Sequence, residues 1–278
     1  MLSKVIERHI HDALYNYLTD NNLIYPRQSG FRKRHSTETA LIRIIDELLF
    51  NLDDNKVCGL VLVDYCKAFD MVEHAILLDK LNAYGVDGSS LAWFKSYLSD
   101  RRQLVSLAGT MSDMTTVRHG VPQGSILGPL LFIVFINDLP LHVSSSDIDL
   151  YADDTTITSY ADFRKMSKLQ DSLNLAVSEV VSWASANRLP LNEKKTKVLV
   201  VTGKRLSSKI DFAPEVFIGS TKLTNVCSAK LLGLEIDQDL SFSWHVDSLC
   251  KKLSQRIGIL KKIRSLLPHK QRILYYTE

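Results

Sequence analysis

Val57 to Val63 is a short, nearly continuous apolar run, and the residue that follows it is a carboxylate, Asp64. The length and valine content of the run predict a strand buried inside the core. A buried strand that delivers an acid to its end is unusual, because an isolated buried carboxylate is expensive. A second pair of acids lies in a similar place. Ile148 to Ala152 and Thr155 to Tyr160 predict two strands with Asp153-Asp154 between them, a hairpin whose tip is two carboxylates.

Helices surround these strands. Val5, Ile6, Ile10, Leu14, Tyr17 and Leu18 have helical spacing, broken at Asn21-Asn22. Ser36 and Thr37 can cap a helix from Glu38 to Leu52 with Leu41, Ile44, Ile45, Leu48 and Leu49 on its apolar face. Further helices are predicted over Ala75–Tyr84, stopped at Gly85, and over Ser89–Leu98, Ser125–Leu139, Asp162–Arg188 and Trp244–Leu267. Short strands are predicted at Leu104–Leu107, Met114–Val117, Thr196–Val201, Glu215–Ile218, Lys222–Val226 and Lys230–Ile236. Asp53-Asp54-Asn55 reads as a solvated turn. The elements are mixed rather than a regular βαβ alternation, which points to an α+β fold around an antiparallel sheet.

Charge and cysteine content exclude several classes. The net charge of the 278 residues is only +3, too small for a charge-only nucleic-acid binder. It is uneven, however. Eight Lys or Arg and one Glu lie between Lys251 and Glu278, so the rest of the chain is net acidic. A basic end on an acidic body suits an anionic partner, and equally a solvated helix face. Cys58, Cys66, Cys227 and Cys250 form no CxxC pair and no zinc-ligand spacing with histidine. A disulfide scaffold is improbable, and a reducing, intracellular setting is expected. Met1 to Arg8 carries no apolar signal core. The longest apolar stretch, Ile126 to Ile136, contains Gly128 and Pro129 and falls short of the ~20 residues a bilayer span needs. It reads as a buried core helix, and no membrane partner is expected.

Asp64, Asp153 and Asp154 are therefore the candidate chemistry. Two magnesium ions would compensate their charge, activate an attacking hydroxyl and hold the leaving oxygens of an in-line phosphoryl transfer. Taken alone, Tyr151-Ala152-Asp153-Asp154 is equally well a solvated turn, as Asp53-Asp54 is.

The order of segments decides between these readings. Val63-Asp64-Tyr65-Cys66-Lys67-Ala68-Phe69-Asp70 resembles the A motif of reverse transcriptases. Gly120-Val121-Pro122-Gln123-Gly124-Ser125-Ile126-Leu127-Gly128-Pro129 resembles their B motif, and Tyr151-Ala152-Asp153-Asp154 their C motif. Leu191-Asn192-Glu193-Lys194-Lys195-Thr196-Lys197 is similar to the D motif and Leu231-Leu232-Gly233-Leu234-Glu235-Ile236 to the E motif. Upstream, Gln28-Ser29-Gly30-Phe31-Arg32 with Ser36-Thr37 resembles the fingers of non-LTR (LINE-type, jockey-like) retrotransposon polymerases. The resemblance covers nearly the whole chain.

It implies a right-hand polymerase fold, α+β, with partial fingers (1–56), a palm on a small antiparallel sheet with interleaved fingers elements (57–240) and the start of a truncated thumb (241–278). Asp64, Asp153 and Asp154 would be the catalytic metal ligands for two Mg2+, with Mn2+ as a possible substitute. Asp64 and Asp153 would be the main ligands, and Asp70 a structural acid or helix cap. Phe69, by itself a core aromatic, would close the pocket under the sugar and reject a ribose 2′-hydroxyl. Gln123 and Gly124 would lie beside the incoming nucleotide, where glycine allows close backbone approach. Arg32 would bind the triphosphate, with Lys33 and Arg34 assisting or simply solvated. Lys195 would act at the leaving pyrophosphate, although Lys194 and Lys197 compete for that assignment and a surface lysine is the plain alternative. Leu231–Ile236 would help position the primer end. Lys251, Lys252, Arg256, Lys261, Lys262 and Arg264 would track the phosphates of the template–primer duplex.

The implied activity is RNA-directed DNA polymerase, with RNA template, DNA primer, dNTPs and other domains of a retroelement polyprotein as partners. The implied setting is nucleus or cytoplasm, as a ribonucleoprotein. Compared with that family, the chain reads as a core cut at both ends, with no endonuclease, CCHC knuckle or RNase H region. Weak processivity is expected. The alternatives are an RNA-dependent RNA polymerase, against which Phe69 argues, and an inactive remnant that only binds nucleic acid.

Overall fold

The structure is a computed structural model that describes residues 2–207, 209–210, 213–263, 268 and 271. It begins with α1 (Leu2–Asp20), α2 (Thr37–Asp53), β1 (Lys56–Val63), α3 (His74–Ala83) and α4 (Gly88–Leu98). Short exposed strands follow, β2 (Arg102–Gln103), β3 (Ser106–Leu107), β4 (Thr110–Met111) and β5 (Thr115–Thr116), and then α5 (Gly128–Ile136). Next come β6 (Asp147–Tyr151), β7 (Asp154–Asp162), α6 (Met166–Ala186), β8 (Lys197–Val201) and α7 (Gly203–Ser207). The last elements are β9 (Phe217–Ile218), β10 (Thr221–Lys222), β11 (Thr224–Val226), β12 (Ser228–Leu231), β13 (Leu234–Asp237) and α8 (Ser243–Ile263).

The apolar run becomes β1, the middle strand of a five-stranded sheet ordered β11-β8-β1-β7-β6. Its side chains alternate between two separate cores, as a strand's period of two requires. Val57, Val61 and Val63 face the core built with Leu169, Leu173 and Val177 of α6 and the apolar residues of α5. Cys58 and Leu60 face the other, with Ile44 and Leu48 of α2 and Leu231 and Ile236 of the β12–β13 hairpin. Gly59 lets α6 approach, since a Cβ there would sit 2.7 Å from Leu173 Cδ1. The sheet is antiparallel except at one edge, where β11 runs parallel to β8, so it is mixed rather than wholly antiparallel.

Several elements differ from expectation for local reasons. α5 is shorter than Ser125–Leu139: Ser125 Oγ accepts from the Gly128 N–H at 2.8 Å, so the helix starts there, and a 3₁₀ turn containing Pro140 follows it. As expected, α5 is buried almost throughout, and no helix among the described residues is long and apolar enough to cross a membrane. Lys230–Ile236 is a hairpin, not one strand, because Leu232 and Gly233 both take positive φ, 47° and 97°. Val5 and Ile6 of α1 are exposed, whereas Glu7 is buried with Leu14 and Leu18. Ser36 caps α2 as expected: its Oγ accepts from the Thr39 N–H, and Thr39 Oγ1 accepts from the Ser36 N–H.

One ion-pair cluster ties α2 to the sheet edge. Asp149 of β6, 5% exposed, accepts from Arg43 Nη2 at 2.6 Å and Arg27 Nη1 at 3.3 Å. Arg27 also pairs with Glu47 at 2.6 Å. Burial pushes the Asp149 carboxyl up, and Arg43 and Arg27 pull it back. Removing one partner of a buried charge leaves that charge uncompensated. Arg43→Ala is expected to cost about 3 kcal/mol of stability, the lower end of the range for broken buried pairs because Arg27 stays in place. Urea unfolding of the variant beside the parent checks this.

Candidate active site

Asp64 stands immediately beyond β1, and its backbone is held on both sides. Its carbonyl accepts from the Asn192 N–H at 2.7 Å, and its N–H donates to Thr196 Oγ1 at 3.2 Å. One residue pair further on, the Cys66 N–H donates to the Pro190 carbonyl at 2.8 Å, and Tyr65 bridges Leu191. The 190–196 loop is thus laced to the end of β1. Asn192 and Thr196 are site residues that sequence reasoning missed. The signal was their place in the segment that resembles the D motif, where they were given no role.

β1 and β7 end their ladder on the pair Val63–Thr155, so the next step along both chains brings Asp64 and Asp154 to the same end of the sheet. The hairpin tip differs from the expected one. Tyr151 pairs with Asp154, which leaves Ala152-Asp153 as the two-residue loop and makes Asp154 the first residue of β7. Asp153 is half-buried and Asp154 exposed.

The electrostatics agree that the three acids share a site. Burial, reinforced by the Asp64 charge, pushes the Asp153 carboxyl above the ordinary range, against its own backbone amide, which lowers it. Asp154 is raised by desolvation and then by the charges of Asp153 and Asp64. Among the described residues none of the three carboxylates is in an ion pair. Nor do any three acid, His or Cys side chains there already form a metal cage. Hard oxygen donors at an open site fit a cation such as magnesium, which takes few protein ligands and completes its shell with water and phosphate.

Phe69 packs into the floor beside this site. It stacks on Phe132 of α5 at 4.3 Å and meets Phe31 edge-on at 6.3 Å. It is only partly buried, so it packs against the core and keeps some exposure. Gly120 locks the following loop against the Phe69 segment: with φ of 87°, any Cβ would meet Asp70 Cα and O at 2.8 Å. Its N–H donates to the Val72 carbonyl at 2.7 Å, and the Val121 N–H to the Phe69 carbonyl at 2.9 Å.

One expectation changes here. Asp70 is no helix cap: it closes a 3₁₀ turn, and its Oδ1 accepts from Gln123 Nε2 at 2.7 Å. Gln123 is therefore engaged by Asp70 rather than free. Gly124 has φ of 71° and open space around it, and its carbonyl accepts from Lys4 Nζ. Glu7 Oε2 accepts from the Ile126 N–H at 2.8 Å, so α1 steadies the loop from the far side.

The basic residues divide into engaged and free. Arg32 Nη1 donates to the Tyr25 and Gln28 carbonyls at 3.2 and 2.9 Å, so it braces its own loop. The Lys33 ammonium lies 5.1 Å over the Tyr15 ring, and Arg34 is exposed with φ of 65°. Lys194, Lys195 and Lys197 are all exposed, and the structure does not single out Lys195. The β12–β13 turn borders a cleft of about 400 Å³ whose walls include Val63, Asp154, Lys230, Leu232 and Gly233. Lys251, Lys252, Arg256, Lys261 and Lys262 are exposed on α8, which has no buried residue, while Arg264 lies outside the described residues.

A family model described as reverse transcriptase (RNA-dependent DNA polymerase) matches residues 1–236. The chain is similar to a probable RNA-directed DNA polymerase from transposon BS of Drosophila melanogaster, 32% identical over 97% of this chain and 30% of that protein. It is also similar to the RNA-directed DNA polymerase from mobile element jockey of the same species, 29% identical over 92% of this chain and 28% of that protein. The chain thus spans less than a third of the length of these relatives. Among solved structures it resembles a telomerase from Candida albicans with a fragment of telomeric RNA, with a TM-score of 0.58 at 16% identity over 86% of this chain and 38% of that one. An apo telomerase from Candida tropicalis gives 0.53 at 15% identity, over 87% of this chain and 45% of that one. These two likenesses bear on the fold, which is that of a polymerase.

A carboxyl whose pKa is higher in the folded than in the unfolded chain gains protons on folding. It therefore destabilises the fold increasingly as pH rises from the ordinary carboxylate range through the raised value. At about pH 7 without divalent ions, Asp153→Asn is expected to melt above the parent, and the gain should vanish at about pH 3, below both values. Thermal unfolding followed by circular dichroism at the two pH values checks this.

Proposed function

The chain belongs to the reverse transcriptase family, and from that premise we propose that it is a retrotransposon polymerase core that copies RNA into DNA. One observation carries the proposal: three carboxylates from two segments meet at one end of a central sheet, where the Asp64 charge pushes both Asp153 and Asp154 up. No side-chain cation neutralises them among the described residues, so the compensating charge comes from outside the chain.

Reverse transcriptases in general use divalent metal ions, and two Mg2+, with Mn2+ as a substitute, would supply Lewis acidity toward the attacking hydroxyl and the leaving oxygens. Asp64 and Asp153 are the ligands we assign to them, with Asp154 as the third acid. The reaction is attack of a primer 3′-hydroxyl on the α-phosphate of a dNTP. The hydroxyl gives up its proton to solvent, the new P–O bond forms as the α–β phosphoanhydride bond breaks, and pyrophosphate leaves.

The other residues orient and select. Phe69, held from beneath by Phe132, presents an edge that would collide with a 2′-hydroxyl. The Gly120–Ser125 loop offers close backbone approach to the nucleotide, its shape fixed by Asp70, Lys4 and Glu7. Lys195 is free to meet the charge of the leaving pyrophosphate. Basic α8 would follow the phosphates of an RNA–DNA hybrid without reading sequence. We assign 1–56 to fingers, 57–240 to palm and 241–278 to the thumb. The expected setting is intracellular, in a ribonucleoprotein with other parts of a retroelement polyprotein.

Primer extension on a heteropolymeric RNA template with magnesium and dNTPs tests the reading. The parent should extend and Asp153→Ala should not, while Phe69→Ala should raise use of NTPs relative to dNTPs by about 10–100-fold. A folded parent that binds template–primer yet adds no nucleotide would leave only a nucleic-acid-binding remnant.

A further inference from the structure

We propose that Gln28 is a positioning residue for the catalytic turn: its buried side-chain oxygen holds the Ala152 amide and thereby sets where Asp153 presents its carboxylate. The role for Asp153 rests on the polymerase reading, whereas the clamp itself is read from geometry alone.

The turn needs support. A two-residue hairpin loop requires positive φ at its first position, which usually selects Gly or Asn. Here the residue is Ala152, with φ of 55°. An alanine there is strained, and strain of this kind persists only where the surroundings over-determine it. Ala152 is also 4% exposed, so its N–H has little access to water. Without a protein acceptor, that N–H would be a buried unsatisfied donor.

Gln28 supplies the acceptor. It is 0% exposed, and its Oε1 receives the Ala152 N–H at 3.0 Å and the Gly30 N–H at 2.8 Å. The backbone delivers it there: the Leu150 N–H donates to the Arg27 carbonyl at 3.1 Å, and the Ser29 N–H to the Leu150 carbonyl at 2.8 Å. This short parallel pairing lays residues 27–29 along β6. Gly30 then lies directly against the turn, where any Cβ would sit 2.3 Å from Ala152 N.

The other end of the amide explains why this is a positioning device. Gln28 Nε2 is buried and has no hydrogen-bond partner among the described residues. An apolar side chain of the same length would fill the volume without that orphan donor. The amide is therefore useful at this position only through its oxygen, and half of what the oxygen does is to hold the residue before Asp153.

Gln28→Met keeps length and burial and removes the acceptor. Ser29→Ala, which deletes the neighbouring buried and unpartnered hydroxyl, is the control. Amide exchange at Ala152 should speed up on the order of 10-fold or more in Gln28→Met and stay parental in Ser29→Ala. Single-turnover nucleotide incorporation should fall about 100-fold in Gln28→Met, with template–primer affinity unchanged. Ala152→Gly adds a second arm, since glycine takes positive φ unaided. In the Gln28→Met background it should restore part of the lost rate. Parental exchange at Ala152 or a parental rate in Gln28→Met would overturn the proposal. So would a folded double variant that gains nothing. A parent that incorporates no nucleotide would remove the polymerase reading, and the exchange measurement would still decide the clamp.

Discussion

The double burial of β1 is the constraint on which the rest depends. Because Val57, Val61 and Val63 serve one core and Cys58 and Leu60 the other, a slip of one residue would send every side chain to the wrong layer. The strand therefore has one register against β7 and one against β8. Asp64 inherits that fixity, since it is the first residue past the end of the strand. The 190–196 loop adds hydrogen bonds to both backbone groups of Asp64, so the main chain that carries the acid is held in place.

Much of this was legible from the chain alone, and the reason is physical. A valine-rich run too short for a buried helix and too apolar for an exposed strand has few other solutions. α6, with Leu169, Leu173, Val177, Val180 and Trp183 on one side, was legible by its period. What local rules misread were the places where tertiary contacts override them. The C-type turn was expected to carry both acids at its tip, because Asp is a good turn residue and Ala with positive φ is a poor one. The fold chooses Ala152, since a buried acceptor from a distant loop stands beside it. Leu232 is a similar case, with a left-handed leucine preceding Gly233.

Polar partnerships across long sequence separations were the least legible. Glu7 interrupts what reads as the apolar side of α1, and nothing local says that it will be buried to accept the Ile126 N–H. Val5 and Ile6 are left outside as a result. Arg32 reads as a phosphate ligand by residue type, yet its fork turns back onto the carbonyls of Tyr25 and Gln28. Gln123 and Asp70 each read as a single residue, and the link between them exists only once Gly120 has brought the two loops together.

The contrast among the acids is more informative than any one of them. Asp149 is buried and has two arginines. Asp138 accepts from Lys80 Nζ at 2.6 Å and from the Trp183 indole N–H at 3.1 Å. Glu7 has Lys4 at 3.7 Å and a backbone N–H. At these three carboxylates, which hold the fold together, the chain supplies a cation and, for Asp138 and Glu7, an N–H donor as well. At the end of β1 it gathers Asp64, Asp153 and Asp154 and supplies no side-chain cation among the described residues, although lysines stand exposed on the neighbouring 190–197 segment. Like charges left to repel one another raise the energy of the site. In the proposed reading an external cation would recover that energy, so affinity for such a cation would follow from the same crowding that destabilises the site alone.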